Sequence, residues 1–182
     1  MKNINMIVEI PKRSGLNKYE IDLHTNELRL DRVLHGSMEY PEEYGFIPRT
    51  MDYDGDPLDV LCLNNYPTFP HCIIPVRIIG VMKMIDQGEK DYKIIAVNAV
   101  DPRFDNIKEI KDIGQGKLNE ISNFFLRYKE LEGKFVEIKG YDSKEAAYLI
   151  IQECLKLFSD CESLLNSKAD KSAIVKFLSS KK

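Results

Sequence analysis

The segment IIPVRIIGVMKMI, residues 73–85, is a long run of β-branched and other apolar residues that Pro75 and Gly80 interrupt. A proline and a glycine inside a strand mark positions where the strand bends or bulges. Residues 92–97 form another apolar segment, which we expect to pair with the first. A long bent strand with a neighbouring partner is what a small closed β-barrel requires, so we favour a barrel over a flat sheet.

Shorter strands are predicted on both sides of this segment. Residues 18–23 alternate apolar and charged side chains, which predicts a strand that places Lys18 and Glu20 on one face. Residues 33–56 show no such period and predict a long irregular segment, a length that is typical of functional loops. The other predicted strands are residues 5–10, 28–32, 57–63 and 134–140.

Helices are predicted late in the chain. Residues 118–131 place apolar side chains at helical spacing and stop before Gly133, which predicts an amphipathic helix ended by glycine. We expect another helix to begin at Asp142, because Glu145 completes an Asp-led variant of the capping box. Its predicted buried side includes Leu155. Early strands followed by two late helices predict an α+β protein that is mainly β.

Composition limits the functional classes. The 182 residues are 43% hydrophobic, which predicts one domain with a real core. The net charge of −3 gives no general attraction to nucleic acid or to an anionic membrane. No apolar run approaches the roughly 20 residues of a membrane span, and we expect a cytoplasmic protein. The four cysteines form no Cys-x-x-Cys pair and are predicted to be reduced thiols.

An acidic loop precedes the strand at residues 57–63. The sequence DGDPLDV, residues 54–60, contains Asp54, Asp56 and Asp59, and its glycine and proline prevent a helix. Carboxylate oxygens suit magnesium, manganese or calcium, whereas zinc and copper sites usually include imidazole or thiolate. The loop therefore predicts a site for hard divalent cations.

Other charged side chains could line the same cavity. A second acidic turn contains Asp86 and Asp91, and Glu9 and Glu20 lie on predicted strands, which gives enough oxygen ligands for more than one divalent ion. Cations and phenols occur between these acids, and both suit phosphate oxygens. They are Lys18, Arg32, Lys93, Lys129, Tyr40, Tyr44 and Tyr128. Carboxylates and cations in one pocket predict a polyanionic substrate bridged by metals.

The acidic loop 54–60 resembles the signature of the soluble family I inorganic pyrophosphatases. Further segments match that family in order and spacing, and the resemblance covers about residues 5–158. The length is similar to that of the short prokaryotic type, although a Lys- and Ser-rich C-terminal extension, residues 160–182, exceeds the usual end. The matching segments are residues 7–11, 18–20, 30–32, 40–41, 44–46, 80–86, 88–93 and 124–129.

The resemblance implies hydrolysis of inorganic pyrophosphate to two phosphates. It also implies a single pyrophosphatase domain over residues 1–182, built on an OB-like five-stranded closed β-barrel with two C-terminal flanking helices. The implied cofactor is Mg²⁺, several ions per site, with Mn²⁺ as a substitute. The implied assembly is a homo-oligomer, a hexamer. From the net charge we expect neither nucleic acid nor a membrane as a partner.

Roles for single residues also follow from the resemblance. Asp54, Asp59 and Asp91 would hold the tight metal, with Asp59 bridging to a second ion. Asp86 and Asp91 would hold a third, and Glu9 would bind the metal nearest the leaving phosphate, directly or through water. The nucleophile would be a water shared by two metals, with Asp56 as its base and Asp86 as the alternative base. Lys18, Arg32, Tyr44, Lys93, Tyr128 and Lys129 would hold the phosphates, while Glu20 and Tyr40 would tune the pocket.

Two other functional classes share part of this pattern. A metal-dependent phosphatase for nucleotides or other phosphate esters would use the same carboxylates, and composition alone does not separate it from a pyrophosphatase. An OB-like module for single-stranded nucleic acid would need a basic groove with stacking aromatics. The acidic inner face predicted here would repel phosphates unless metals intervene, which argues against that module.

Overall fold

The computed structural model of the protein describes residues 4–181. Within this range there are nine strands and three α-helices, and three short 3-10 helices connect some of them. The strands are β1 (Ile4–Ile10), β2 (Asn17–Ile21), β3 (Leu28–Val33), β4 (Glu43–Phe46), β5 (Asp59–Leu63), β6 (Ile73–Asp86), β7 (Glu89–Lys90), β8 (Lys93–Asn98) and β9 (Val136–Ser143). The helices are α1 (Gln115–Arg127), α2 (Lys144–Asn166) and α3 (Lys171–Ser179), and the 3-10 helices are Pro102–Phe104, Ile110–Asp112 and Glu130–Glu132.

Five strands close into a ring. The pairings run β1 to β4, β4 to β5, β5 to β8 and β8 to β6, and β6 pairs back with β1. Only the β5–β8 pair in this ring is parallel. The predicted mainly β fold with a closed five-stranded barrel and an OB-like architecture is therefore confirmed.

The long strand β6 makes this closure possible because it changes partners along its length. Its first residues pair with β1, its middle pairs with β8, and its last seven residues pair with β9. The register against β8 shifts between Ile78 and Gly80. A Cβ atom at Gly80 would lie 2.2 Å from Ile110 Cγ1 and 2.5 Å from the Asp142 carbonyl oxygen, so only glycine fits at this bend.

The strands predicted at residues 18–23 and 28–32 are present as β2 and β3 and pair as a hairpin, which the structure places outside the ring as a separate two-stranded sheet. Its register sets Lys18 opposite Arg32, which brings two predicted site cations together. The segment predicted to be irregular, residues 33–56, differs from expectation because it contains β4. All four residues of β4 are buried, so neither face shows the polar alternation that identifies a half-buried strand.

The two predicted helices are present as α1 and α2, but α1 ends at Arg127, and it is the separate 3-10 helix Glu130–Glu132 that ends at Gly133. The beginning of α2 also differs from the prediction. Ser143, and not Asp142, is the N-cap, and its hydroxyl accepts a hydrogen bond from the Ala146 amide at 3.2 Å. Asp142 is still part of β9, where it forms an ion pair with Lys83 at 2.5 Å. Leu155 was also predicted wrongly as buried, since 43% of it is exposed.

The third helix, α3, lies in the tail and was not predicted. Its Ile174 and Leu178 are buried against Met51 and against Leu157 and Cys161 of α2. These contacts fold the C-terminal segment back onto the acidic loop. No helix in residues 4–181 is both long enough and apolar enough to cross a membrane.

Candidate active site

One cavity of about 280 Å³ collects the charged residues that the sequence singled out. Every residue predicted for the site lines it, with the exception of Tyr40. The lining side chains come from widely separated parts of the chain, and the ring of strands brings them together. They are Glu9, Lys18, Glu20, Ile21, Leu23, Arg32, Tyr44, Phe46, Asp54, Asp56, Pro57, Asp59, Asp86, Asp91, Lys93, Tyr128 and Lys129.

Lys93 is the most deeply buried cation of this cavity, with 2% of the residue exposed. Its ammonium contacts the carboxylates of Asp59 and Asp91 and donates a hydrogen bond to the Tyr44 hydroxyl at 3.2 Å. Burial opposes the charge, but the Asp59 and Asp91 carboxylates outweigh it and raise the pKa of Lys93 well above its usual range. These two carboxylates, both predicted metal ligands, therefore favour the charged form of Lys93.

Lys129 and Asp86 form a second contact between a cation and a carboxylate. The lysine approaches Asp86 Oδ2, whereas Asp86 Oδ1 is buried and accepts no hydrogen bond from any of the described residues. A buried carboxylate oxygen without a donor is costly unless another positive group approaches it. This oxygen is therefore suited to a divalent cation.

Two carboxyl groups in the cavity have pKa values above their usual range. Burial raises the pKa of Glu9 to about 8, although the Ile21 amide donates a hydrogen bond of 2.8 Å to its Oε1. Desolvation by the surrounding protein and the neighbouring Asp56 charge raise the pKa of Asp54 to about 7, although Asp54 is exposed at the rim. Crowded carboxylates resist ionisation together, and a bound divalent cation would relieve their repulsion.

The donor set fits hard divalent cations, because the available ligands are carboxylate oxygens. Among residues 4–181, no group of three acidic, imidazole or thiol side chains is arranged as a ready metal site. The ammonium groups of Lys93 and Lys129 lie against the carboxylates of Asp59, Asp91 and Asp86. Metal binding here would thus require these lysines to share their acidic partners.

Arg32 contacts two acidic residues that were not predicted for the site. Its Nη1 donates to Asp31 Oδ2 at 2.8 Å, and its Nε lies 3.3 Å from Glu132 Oε1. Asp31 also accepts from Lys18 at 3.0 Å, so one carboxylate joins both cations of the hairpin. Asp31 was visible beside Arg32 in the sequence, but Glu132 lies in the distant 3-10 helix Glu130–Glu132, and no local signal indicates this contact.

Tyr40 does not line the cavity but lies directly behind it. It is fully buried, and its ring centroid is 4.9 Å from that of Tyr44 and 6.4 Å from that of Tyr128. Burial raises the pKa values of Tyr44 and Tyr128, so both phenols remain protonated donors. Tyr40 thus supports two hydroxyl-bearing rings that do face the cavity.

The acidic loop at the rim of the cavity is a tight turn. The Asp56 amide donates to Asp54 Oδ1 at 3.0 Å, and the Asp52 amide donates to the Asp56 carbonyl at 2.7 Å. Gly55 has a φ of 84°, a left-handed conformation that favours glycine. Asp56 is more exposed than Asp59, with 53% against 25% of the side chain accessible.

Comparison with known proteins points to one family. The family model described as "Inorganic pyrophosphatase" matches residues 6–159. An inorganic pyrophosphatase of Geobacillus stearothermophilus is 46% identical over 159 residues, which cover 87% of this chain and 96% of that relative. One from Sulfolobus acidocaldarius is 48% identical over 86% of this chain and 91% of the relative.

Solved structures give the same result at the level of the fold. An inorganic pyrophosphatase of Coxiella burnetii has a TM-score of 0.82 and 43% identity, covering 85% of this chain and 94% of that one. The inorganic pyrophosphatase of Thermus thermophilus has a TM-score of 0.81 and 42% identity, covering 85% of this chain and 90% of the other.

Proposed function

The chain belongs to the inorganic pyrophosphatase family, and on that premise we propose that its cavity binds pyrophosphate together with several Mg²⁺ ions. The protein hydrolyses inorganic pyrophosphate to two phosphates. The observation that supports the proposed site best is the close alternation of carboxylates and cations around one cavity. Pyrophosphate is a compact polyanion, and such a cavity can bind it only if positive charge offsets the carboxylates.

The carboxylates are proposed as metal ligands with separate roles. Asp54, Asp59 and Asp91 would hold the tightest ion, and Asp59 would also contact a second one. Asp86, whose Oδ1 has no donor among the described residues, would hold a third with Asp91. Glu9 would contribute on the side of the leaving phosphate. Bound Mg²⁺, or Mn²⁺ in its place, would offset the substrate charge and lower the pKa of coordinated water.

The cations and phenols are proposed to hold the two phosphate groups. The guanidinium of Arg32 can donate two parallel hydrogen bonds to one phosphate, whereas each lysine offers a single charged point. The tyrosine hydroxyls stay protonated and donate hydrogen bonds. Glu20 contacts the Lys18 ammonium and would limit its movement. The proposed phosphate ligands are Lys18, Arg32, Tyr44, Lys93, Tyr128 and Lys129.

Asp56 is the proposed general base, with Asp86 as the alternative. The Asp56 carboxylate lines the cavity without pairing with any cavity lysine, whereas Asp86 is already in contact with Lys129. In the reaction, the water oxygen would bond to one phosphorus as its proton passes to the Asp56 carboxylate. The bond from that phosphorus to the bridging oxygen would break, and the second phosphate would leave with the bridging oxygen.

The proposal extends to assembly and location. Phe69, Leu131 and Phe135 are 80%, 70% and 82% exposed, and exposed apolar side chains support association into an oligomer, proposed as a hexamer. The four cysteines form no disulfide among residues 4–181. Unpaired thiols support a reducing compartment, the cytoplasm.

The metal requirement is tested by measuring phosphate release from pyrophosphate with magnesium, with calcium and after exhaustive chelation. We expect magnesium to support faster release than calcium, because the smaller ion holds its ligands and waters in strict octahedral geometry. Chelation should abolish activity, and added magnesium should restore it. Full activity after chelation would overturn the proposed role of the carboxylates.

A further inference from the structure

The helix α3 is a fixed neighbour of the acidic loop 54–60 and of the residues just before it, although the match to the family ends at residue 159. Ile174 and Leu178 are 3% and 0% exposed, and they pack against Met51, which lies just before the loop. Buried apolar contacts of this kind fix the position of a short helix that would be marginal by itself.

Gly55 is the point of closest approach between the loop and α3. A Cβ atom at this position would lie 3.0 Å from Val175 Cγ2 and 3.3 Å from Lys171 Cγ, both on α3. The left-handed φ of Gly55 already favours glycine, and the helix adds a second reason for it. The backbone beside Asp56 therefore packs directly on α3.

Lys171, the first residue of α3, extends this contact to the Asp56 side chain. Its ammonium lies 2.6 Å from Asp56 Oδ2. The Asp170 carboxylate caps the helix by accepting a hydrogen bond from the Ala173 amide at 2.8 Å. This cap fixes the start of the helix and therefore the backbone position of Lys171. A cation in the first turn opposes the helix dipole, so helix stability does not explain a lysine here. The ion pair with Asp56 offsets that cost.

The side from which Lys171 approaches Asp56 determines how this ion pair can affect catalysis. Asp56 borders the catalytic cavity and also a neighbouring cavity of about 440 Å³, and Lys171 lines only the neighbouring one. Lys171 therefore meets Asp56 from the side that faces away from the substrate. A cation placed there does not obstruct pyrophosphate, but it restricts the rotation of the carboxylate.

We propose that Lys171 is a positioning residue, through which α3 orients the Asp56 carboxylate toward the attacking water. This inference rests on the proposed role of Asp56 as the general base. It assigns to the C-terminal extension a part in turnover, although no side chain of residues 160–181 lines the catalytic cavity.

The test replaces Lys171 by Met, which keeps most of the apolar stem and removes the charge. We expect kcat for pyrophosphate to fall about threefold to fivefold, the upper range for an exposed ion pair. KM should change little, because Asp56 does not hold the phosphates. Lys171→Arg should restore kcat, and Lys176→Met is the matched control, since Lys176 is exposed on the same helix and forms no ion pair within residues 4–181. A kcat that is unchanged or higher in Lys171→Met would overturn the proposal.

A double-mutant cycle separates this inference from the role of Asp56 itself. In an Asp56→Asn background, Lys171→Met should lower kcat no further, because both changes act on one carboxylate. Wild-type turnover in Asp56→Asn alone would remove Asp56 as the base. A slow Asp56→Asn enzyme combined with a fully active Lys171→Met enzyme would overturn only the positioning role.

A measurement without turnover completes the test. Amide hydrogen exchange of the peptide that covers residues 52–56 should be faster in metal-free Lys171→Met than in the wild-type protein, because the loop loses one of its restraints. Exchange should be unchanged in Lys176→Met. Equal exchange in Lys171→Met and wild type would contradict the positioning role.

Discussion

Asp56 and Asp59 lie three residues apart in one acidic loop, yet their surroundings differ. Asp59 points inward and contacts the buried ammonium of Lys93, whereas Asp56 stays at the rim. Position in the loop thus separates a proposed metal ligand from a proposed base, even though both side chains are the same carboxylate.

Asp56→Asn should lower kcat by roughly 100-fold or more, because the amide cannot accept the proton of the attacking water. Its affinity for Mg²⁺, measured by titration calorimetry without substrate, should change less than that of Asp59→Asn. Equal losses of metal affinity in the two variants would reject this division of roles, and Asp86 would become the better candidate for the base.

Arg32→Lys should weaken turnover of pyrophosphate by about 10-fold or more, since one charge-assisted hydrogen bond contributes roughly 1.5–3 kcal/mol. The Arg32 side chain is 27% exposed and is oriented by Asp31 and Glu132. This restraint fits a side chain that binds phosphate better than an unrestrained surface charge. Metal binding without substrate should stay near that of the wild type. Unchanged steady-state kinetics in a variant with normal circular dichroism would remove Arg32 from the site.

Short elements around the barrel also depend on single carboxylates. Asp101 caps the 3-10 helix Pro102–Phe104, and it accepts hydrogen bonds from the Arg103 amide at 3.0 Å and from the Asn65 amide group at 3.0 Å. The hydrogen bond from the Arg103 guanidinium, at 2.7 Å, is the main reason why the pKa of Asp101 falls to about 2. The charged form is therefore favoured in the folded protein.

Asp101→Asn keeps the ability to cap the helix but removes the charge. A carboxyl group whose pKa is lowered by folding stabilises the protein above its ordinary pKa and loses that effect as the pH falls. We expect the variant to have a lower Tm than the wild type at pH 7, with the difference shrinking between pH 4 and pH 2. Asp105→Asn, in the same segment, is the control. A difference in Tm that did not depend on pH would contradict the assigned charge effect.

The elements differ in how far the sequence predicts them. Pro75 and Gly80 indicate the bend of β6 because proline restricts the local backbone conformation and glycine allows conformations that other residues rarely adopt. The strand β4 is different, since its four residues become a strand only through pairing with β1 and β5. At Gly45 a Cβ atom would lie 1.9 Å from the Ile7 carbonyl oxygen, a constraint that only the assembled barrel creates.

The same distinction applies to α3 and to the site. The apolar pair Ile174 and Leu178 gives too little periodicity to predict a helix, and its partner Met51 lies far away in the chain. The charged residues of the cavity could be predicted because their motifs are local and ordered. The contacts of Glu132 with Arg32 and of Lys171 with Asp56 join distant segments, and sequence reasoning had no signal for either of them.

At the scale of the whole molecule, the net charge of −3 does not show how unevenly the charged side chains are distributed. The ring of strands gathers carboxylates and cations from most of the chain into one cavity, where each sign is placed against the other. Such a cavity suits a small polyanion that arrives with divalent cations.

This cavity is proposed to be where the protein hydrolyses pyrophosphate, and phosphate release tests that proposal most directly. The purified protein is given pyrophosphate, ATP or a simple phosphomonoester with magnesium, and an Asp59→Asn variant from the same purification reports any contaminating activity. We predict rapid release from pyrophosphate, much slower release from the other two substrates, and strongly reduced release by Asp59→Asn. Equal rates on the phosphomonoester, or full activity in Asp59→Asn, would contradict the account.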